Sequence, residues 1–264
     1  MYFASINEIV LHYKLEGQTD GIPIVFINSL GTDLRIWDAM LPSFTESYPT
    51  VRYDKRGHGL SDSPTPGYTI RDHSSDLLGL LDHLYIEDAI LVGISVGGMI
   101  ALDFASLHPT RVKALVLCDT AAKIGTEHMW NERIQTIHQH GMEYLADTVL
   151  VRWFTTSFRQ QQPTAYRGYH NMLTRTPVEG YIGTCEAIRD ADLTAQAPTI
   201  QTKTLVLCGI EDTSTPPALV QATAKILPHS HFQLITGAGH LPCIEQPLIV
   251  VNNIKQFLKE SHYA

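Results

Sequence analysis

A serine set in Gly93-Ile94-Ser95-Val96-Gly97 is the position in this chain best placed to do chemistry. A serine hydroxyl attacks acyl carbons once a base takes its proton, and a Gly-x-Ser-x-Gly frame holds such a serine on a strained strand-to-helix turn. The spacing has a steric origin. A side chain two residues either side of the serine would meet neighbouring backbone, which favours glycine at positions 93 and 97. The flanks agree with a turn of this kind. Ala89 to Gly93 is a continuous apolar run bounded by Glu87-Asp88, as in a strand buried on both faces of a parallel sheet. Met99, Ile100, Leu102, Phe104, Ala105 and Leu107 then mark a helical segment closed by His108-Pro109.

An activated serine needs a base, and the base needs an acid to orient it. Where the serine sits on such an elbow, the acid follows it in the chain and the histidine comes last. Of the 13 histidines, His240 lies directly after the last strand-like run, in a glycine-rich loop from Thr236 to Pro242 able to deliver the ring to Ser95. His58, in Arg56-Gly57-His58-Gly59, reads instead as a residue that shapes its own turn. The acid is expected after the run Leu205 to Cys208, where Glu211 and Asp212 stand side by side. A turn does not point both neighbours inward, and Asp212 lies further into the loop, so Asp212 is taken as the acid and Glu211 as solvated. The oxyanion of the tetrahedral intermediate needs two N–H donors. Backbone supplies them, from Val96 after the serine and from Leu30 in the loop after the run Pro23 to Asn28.

These residues must be carried by an α/β framework. At 264 residues, with 44% hydrophobic and 17% charged residues, the chain supports one sizeable core with at most one insertion. Apolar strand-like runs recur at Pro23 to Asn28, Thr50 to Asp54, Val112 to Cys118, Thr204 to Cys208 and His231 to Ile235, and residues 6–15 read as an early strand pair. Thr69 caps a helix reaching Tyr85, with Leu77, Leu78, Leu81 and Leu84 at helical spacing. Further helices are expected from Pro216 to Leu227 and from Pro247 to Lys259. Between about Gly125 and Ala191 there are no strand-like runs but many aromatics and amphipathic helical pieces. The expected organisation is a core of residues 1–122 and 193–264 with a helical cap insertion at 123–192. Strands alternating with helices imply a mostly parallel central sheet flanked by helices.

Composition narrows the function further. A net charge of −8 without a basic cluster argues against a nucleic-acid surface. No segment approaches the roughly 18 apolar residues of a membrane span. The amino terminus lacks the basic and apolar regions of a signal peptide, so a cytoplasmic location is expected. The four cysteines are widely spaced and read as buried free thiols, with no zinc-type arrangement. No phosphate-binding or dinucleotide-binding glycine motif follows a strand, and neither a cofactor nor a metal is expected.

With these pieces in order the chain resembles the α/β-hydrolase superfamily, and more narrowly the 3-oxoadipate enol-lactonases of the β-ketoadipate pathway. The segments that carry the resemblance are Asn28–Asp38, Arg52–Asp62, the elbow, Cys118–Trp130, Arg175–Tyr181, Arg189–Leu193 and Gly237–His240. The elbow and the Arg-Gly-His-Gly turn are superfamily-wide; the Asn-Ser-Leu-Gly loop and the Thr-Ala-Ala-Lys-Ile-Gly segment carry the narrower assignment. Val96 stands where Met or Leu is more usual, which leaves its N–H untouched. The resemblance implies that Ser95 opens a five-membered enol-lactone bearing a carboxymethyl group and that water then releases 3-oxoadipate, without cofactor or metal.

An anionic lactone entering an acidic chain needs local help. Trp130 and Arg133, three apart on the first insertion helix, share a face and are assigned to the pocket wall, Arg133 meeting the carboxylate. The competing reading of Arg133 is a solvated helix residue. Other functions remain open at this point: a general carboxylesterase or haloperoxidase-like perhydrolase using the same residues, and a ligand receptor that signals through its helical lid. A dehalogenase is disfavoured because its nucleophile is aspartate. Self-association into a homo-oligomer is also left open.

Overall fold

The computed structural model of the protein describes residues 1–263. Eight strands, β1 (Tyr2–Ile6), β2 (Ile9–Gly17), β3 (Ile24–Ile27), β4 (Pro49–Tyr53), β5 (Ala89–Ile94), β6 (Val112–Cys118), β7 (Thr204–Gly209) and β8 (Ser230–Ile235), form one sheet. They lie side by side in the order β1-β2-β4-β3-β5-β6-β7-β8. The β1–β2 and β2–β4 pairs are antiparallel and all others parallel. β3, β5 and β7 are buried along their whole length, which is why they read as unbroken apolar runs. β8, at the sheet edge, is largely exposed.

The topology sets the position of the site. The chain steps from β3 to β4 on one side and then crosses back to β5 on the other, so the strand order reverses between β3 and β5. A crevice opens at the carboxyl ends of the strands at such a switch point, because the connections depart in opposite directions. Ser95 ends β5, and the loop carrying Leu30 leaves β3.

The helices form where their caps and spacing require. α1 (Ile70–His83) starts at Thr69, whose side chain accepts from the Asp72 N–H while the Asp72 carboxylate accepts from the Thr69 N–H. This reciprocal cap satisfies two otherwise unpaired donors. α2 (Val96–Leu107) follows Ser95 and is buried along nearly its whole length. Four helices, α3 (Glu127–Trp153), α4 (Thr156–Gln161), α5 (Pro163–Thr174) and α6 (Val178–Asp190), stand between β6 and β7, and α7 (Pro217–Ile226) and α8 (Pro247–Glu260) complete the flanks. Gly141, with φ 76° and ψ 179°, breaks α3 into two helical pieces.

Some boundaries depart from the sequence expectation. The first strand starts at Tyr2 rather than near Ile6, and the hairpin reverses at Asn7 and Glu8, both at positive φ (48° and 66°). That turn carries neither glycine nor proline, and of its two residues only Asn7 is of a type that favours positive φ. The four cysteines are free and buried. Among the described residues, no helix is long and apolar enough to cross a membrane.

The insertion docks on the core through a backbone contact. A Cβ at Gly180, near the start of α6, would lie 2.0 Å from the Gly57 carbonyl oxygen, and one at Gly57 would lie 2.3 Å from the Gly180 Cα. Neither chain can retreat without repacking the helix on the turn. Gly180→Ala is therefore expected to lower folding stability by about 2 kcal/mol or more. Urea denaturation measures it, and a change below half a kilocalorie would show that the contact yields freely.

Candidate active site

Ser95 occupies a backbone conformation that L residues rarely adopt, with φ 57° and ψ −122°. Such a conformation costs on the order of 1–3 kcal/mol and persists only where its surroundings over-determine it. Here they do. The Ser95 N–H donates to the Cys118 carbonyl at 3.0 Å, and the Ser95 carbonyl accepts from Gly98 N at 2.9 Å and from the Thr120 hydroxyl at 2.6 Å. The two glycines are there for the reason the spacing implies. A Cβ at Gly93 would fall 2.3 Å from the Gly97 oxygen, and one at Gly97 would fall 2.1 Å from the Ile27 oxygen.

Asp212 and His240, on the loops after β7 and β8, meet. His240 Nδ1 lies 2.9 Å from Asp212 Oδ2, a pairing that places the ring proton on Nδ1 and leaves Nε2 as the acceptor. Asp212 also accepts from the Thr215 hydroxyl at 2.6 Å and from the N–H groups of Ser214 at 2.7 Å and Thr215 at 3.1 Å. Burial pushes its carboxyl upward, but the facing His240 and these donors outweigh burial and hold it below the ordinary carboxylate value. Glu211, its neighbour, is exposed. The His240 N–H donates to the Trp153 carbonyl at 2.9 Å, tying this loop to the end of α3. Ser95 and His240 line the same cavity, with no hydrogen bond between them among the described residues. Contacts of this type commonly tighten only when substrate is held.

The loop after β3 is braced from below by the Arg56-Gly57-His58-Gly59 turn. The buried Lys55 ammonium donates to the Ser29 carbonyl at 2.6 Å, and Gly31 N donates to His58 Nε2 at 2.9 Å. His58 Nδ1 faces the Arg56 carbonyl at 3.2 Å, so both ring nitrogens are committed and the ring is neutral. Burial, reinforced by the Lys55 charge, pulls His58 well below the ordinary histidine range. His58 thus shapes more than its own turn: it holds the loop that presents Leu30 beside Ser95.

The cavity over Ser95 is small, about 40 Å³, and both the core and the insertion line it. Trp130 and Arg133 are part of that lining, Arg133 stacking on the Trp130 ring at 4.9 Å and donating to the Tyr181 hydroxyl at 3.5 Å. A second arginine, Arg152, enters from the last turn of α3 and donates to the Thr213 carbonyl at 3.2 Å. Burial and then the nearby Arg133 charge pull Arg152 below its ordinary value. Among the described residues neither arginine has a carboxylate partner.

The sheet order, the buried elbow and the loops after β7 and β8 are those of a known architecture, and the model for the alpha/beta hydrolase fold matches residues 22–247. The chain belongs to the alpha/beta hydrolase fold family. It is 34% identical to 3-oxoadipate enol-lactonase 2 of Acinetobacter baylyi over 96% of this chain and 94% of that protein. Among solved structures it is similar to the enol-lactonase from Burkholderia xenovorans, with 35% identity and a TM-score of 0.95, covering 98% of this chain and 100% of that one. It is also similar to a thermophilic esterase from Thermogutta terrifontis, with 28% identity and a TM-score of 0.90, covering 96% and 94%. The chain is accordingly a hydrolase.

Within this hydrolase, sequence reasoning left Arg152 and Tyr181 without a role. Arg152 had one weak signal, its place in the run Arg152-Trp153-Phe154 closing a helix of the insertion. Tyr181 lay inside the segment Arg175–Tyr181 that carried the family likeness, with nothing to show which way it faces.

The neutral, locked His58 has a measurable consequence. A histidine held neutral in the fold but free to titrate when unfolded supports stability above its unfolded pKa, near 6.5, and that support is lost as pH falls below it. Between pH 7 and 5.5, His58→Gln is expected to lose about 1 kcal/mol less stability than the wild type. Equal losses in denaturant titrations at the two pH values would overturn the assignment.

Proposed function

We propose that this hydrolase opens a small anionic enol-lactone, 3-oxoadipate enol-lactone, to 3-oxoadipate in the catabolism of aromatic compounds. The observation that carries the reading is the cavity itself: Ser95 and His240 share it with two arginines that lack carboxylate partners among the described residues. The names of the enol-lactonases to which the chain is similar support it.

In this reading residues 123–192 act as the cap, closing the cavity from above, and the substrate carboxylate lies toward Arg133 and Arg152. Ser95 Oγ attacks the lactone carbonyl while His240 Nε2 takes its proton, and Asp212 stabilises the imidazolium. The oxyanion is held by the N–H groups of Val96 and Leu30, preorganised because both belong to tightly packed backbone. Collapse breaks the ring C–O bond. The departing enolate oxygen recovers the proton from His240, and the enol rearranges to the ketone. Water, giving its proton to His240, then cleaves the acyl ester and frees a second carboxylate and the Ser95 hydroxyl. Backbone donors and the Asp212–His240 pair suffice for every step, so the reading needs neither a metal nor a cofactor.

Turnover is followed by loss of the enol-lactone's ultraviolet absorbance. Ser95→Ala is expected to lower kcat by on the order of a millionfold; full activity in that variant would refute the mechanism. A strong preference for p-nitrophenyl acetate over the lactone would replace the lactonase reading by a general esterase. Slow single-turnover hydrolysis with recruitment of a partner protein would point to a receptor.

The second arginine gives a separate prediction. A buried charge pair with an arginine contributes about 1.5–3 kcal/mol, so Arg152→Ala is expected to raise KM for the anionic lactone about tenfold or more. The same variant should leave KM for neutral p-nitrophenyl acetate nearly unchanged, and an equal rise for both substrates would remove the carboxylate role.

A further inference from the structure

Behind the Asp212–His240 pair lies a second buried carboxyl group. Asp119 follows β6 directly and is fully buried. Its carboxylate, that of Asp212 and the Cys208 thiol each offer an atom within 4.8 Å of the others. Asp119 Oδ1 accepts from Gly209 N at 2.8 Å, fastening the end of β6 to β7. Its Oδ2 is buried without a partner among the described residues.

The two carboxyl groups are unequally supplied. Asp212 receives donors from Ser214, Thr215 twice and His240, whereas among the described residues Asp119 receives Gly209 N, with only the weak donor of the Cys208 thiol beside it. Two carboxylates this close in a buried site cannot both stay ionised, and the one with fewer donors takes the proton. An ionised oxygen facing no donor would bear an uncompensated desolvation cost. We propose that Asp119 is a neutral carboxylic acid, protonated on Oδ2, and that it positions Asp212 as the single anion facing His240.

The surroundings agree. The titratable groups acting on Asp119 are Asp212 and the thiols of Cys118, Cys208 and Cys243. None of them carries a positive charge. Burial, followed by the Asp212 charge, pushes the Asp119 carboxyl well above the usual carboxylate range. The functional consequence concerns His240. A neutral Asp119 leaves one negative charge to balance the imidazolium that forms during turnover.

This inference rests on the Ser95, His240 and Asp212 reading, yet its test does not depend on activity. Infrared spectra at neutral pH are expected to show the carbonyl stretch of a protonated carboxyl that shifts in deuterium oxide. The band should be absent in Asp119→Asn and retained in Ser95→Ala. If Ser95→Ala keeps full activity, the mechanism fails while the band still reports on Asp119. In kinetics with the enol-lactone or p-nitrophenyl acetate, Asp119→Asn, which keeps a neutral donor, should hold kcat/KM within about threefold, whereas Asp119→Ala should lose about tenfold or more. The acid limb of the pH profile should not move in Asp119→Asn. A wild type without the band, or an acid limb displaced downward by about one pH unit or more in Asp119→Asn, would mean that a negative charge had stood there and would overturn the proposal.

Discussion

The close approach of α2 to the ends of β3 and β5 is the constraint on which the rest of the site depends. Side chains at Gly93 or Gly97 would enter the backbone of the other partner, so the turn between them is forced to be sharp and Ser95 is forced into its left-handed conformation. The same approach brings Ile27, the last residue of β3, against Gly97, which delivers the Asn28–Thr32 loop to the serine. Thr120, just after β6, closes on the Ser95 carbonyl. One tight packing event therefore registers three strand ends around the serine.

Much of this was legible because it is written at strand ends. Strands buried on both faces leave unbroken apolar runs, and the residues directly after β5, β7 and β8 could be named from those runs alone. The juxtaposition of Asp212 with His240, and the outward turn of Glu211, follow from the order of loops along one edge of a parallel sheet. Thr69 was legible for a different reason, since a capping box is a local pattern with a local energy. Elements with neither signature were not. The β1–β2 turn at Asn7 and Glu8 has one residue that favours positive φ and one that does not, so its position rests largely on the β1–β2 register.

The contacts that escaped sequence reasoning are those made across elements. Arg133 and Arg152 belong to one long helix, yet Gly141 interrupts it, and helical spacing then says nothing about whether they face each other. Gly57 and Gly180 meet because a turn of the core supports a helix of the insertion, a relation without a sequence signature. Asp119 reads as an ordinary loop residue until β6 is known to lie beside β7, which brings it next to Asp212. His58 was assigned to its own turn, and the missing half of its role lies in the loop after β3, where its Nε2 accepts from Gly31 N.

Electrostatics explains how an acidic chain presents a cavity lined by two arginines. Net charge governs the far field, whereas a ligand inside a narrow crevice responds to the few charges that line it. Asp212 is already engaged by His240 and four hydrogen bonds in all, so it offers little repulsion of its own. Arg133 lies on an aromatic face and Arg152 on a backbone carbonyl, which hold both cations in place without neutralising them. Burial first, and then the Arg133 charge, lower the Arg152 pKa, so the two cations sit at a cost to each other. An entering carboxylate relieves that repulsion without first displacing a salt-bridge partner, and a neutral ester of the same size gains nothing from it. In the proposed lactonase, selectivity for an anion thus comes from what the cavity withholds from its arginines as much as from the arginines themselves.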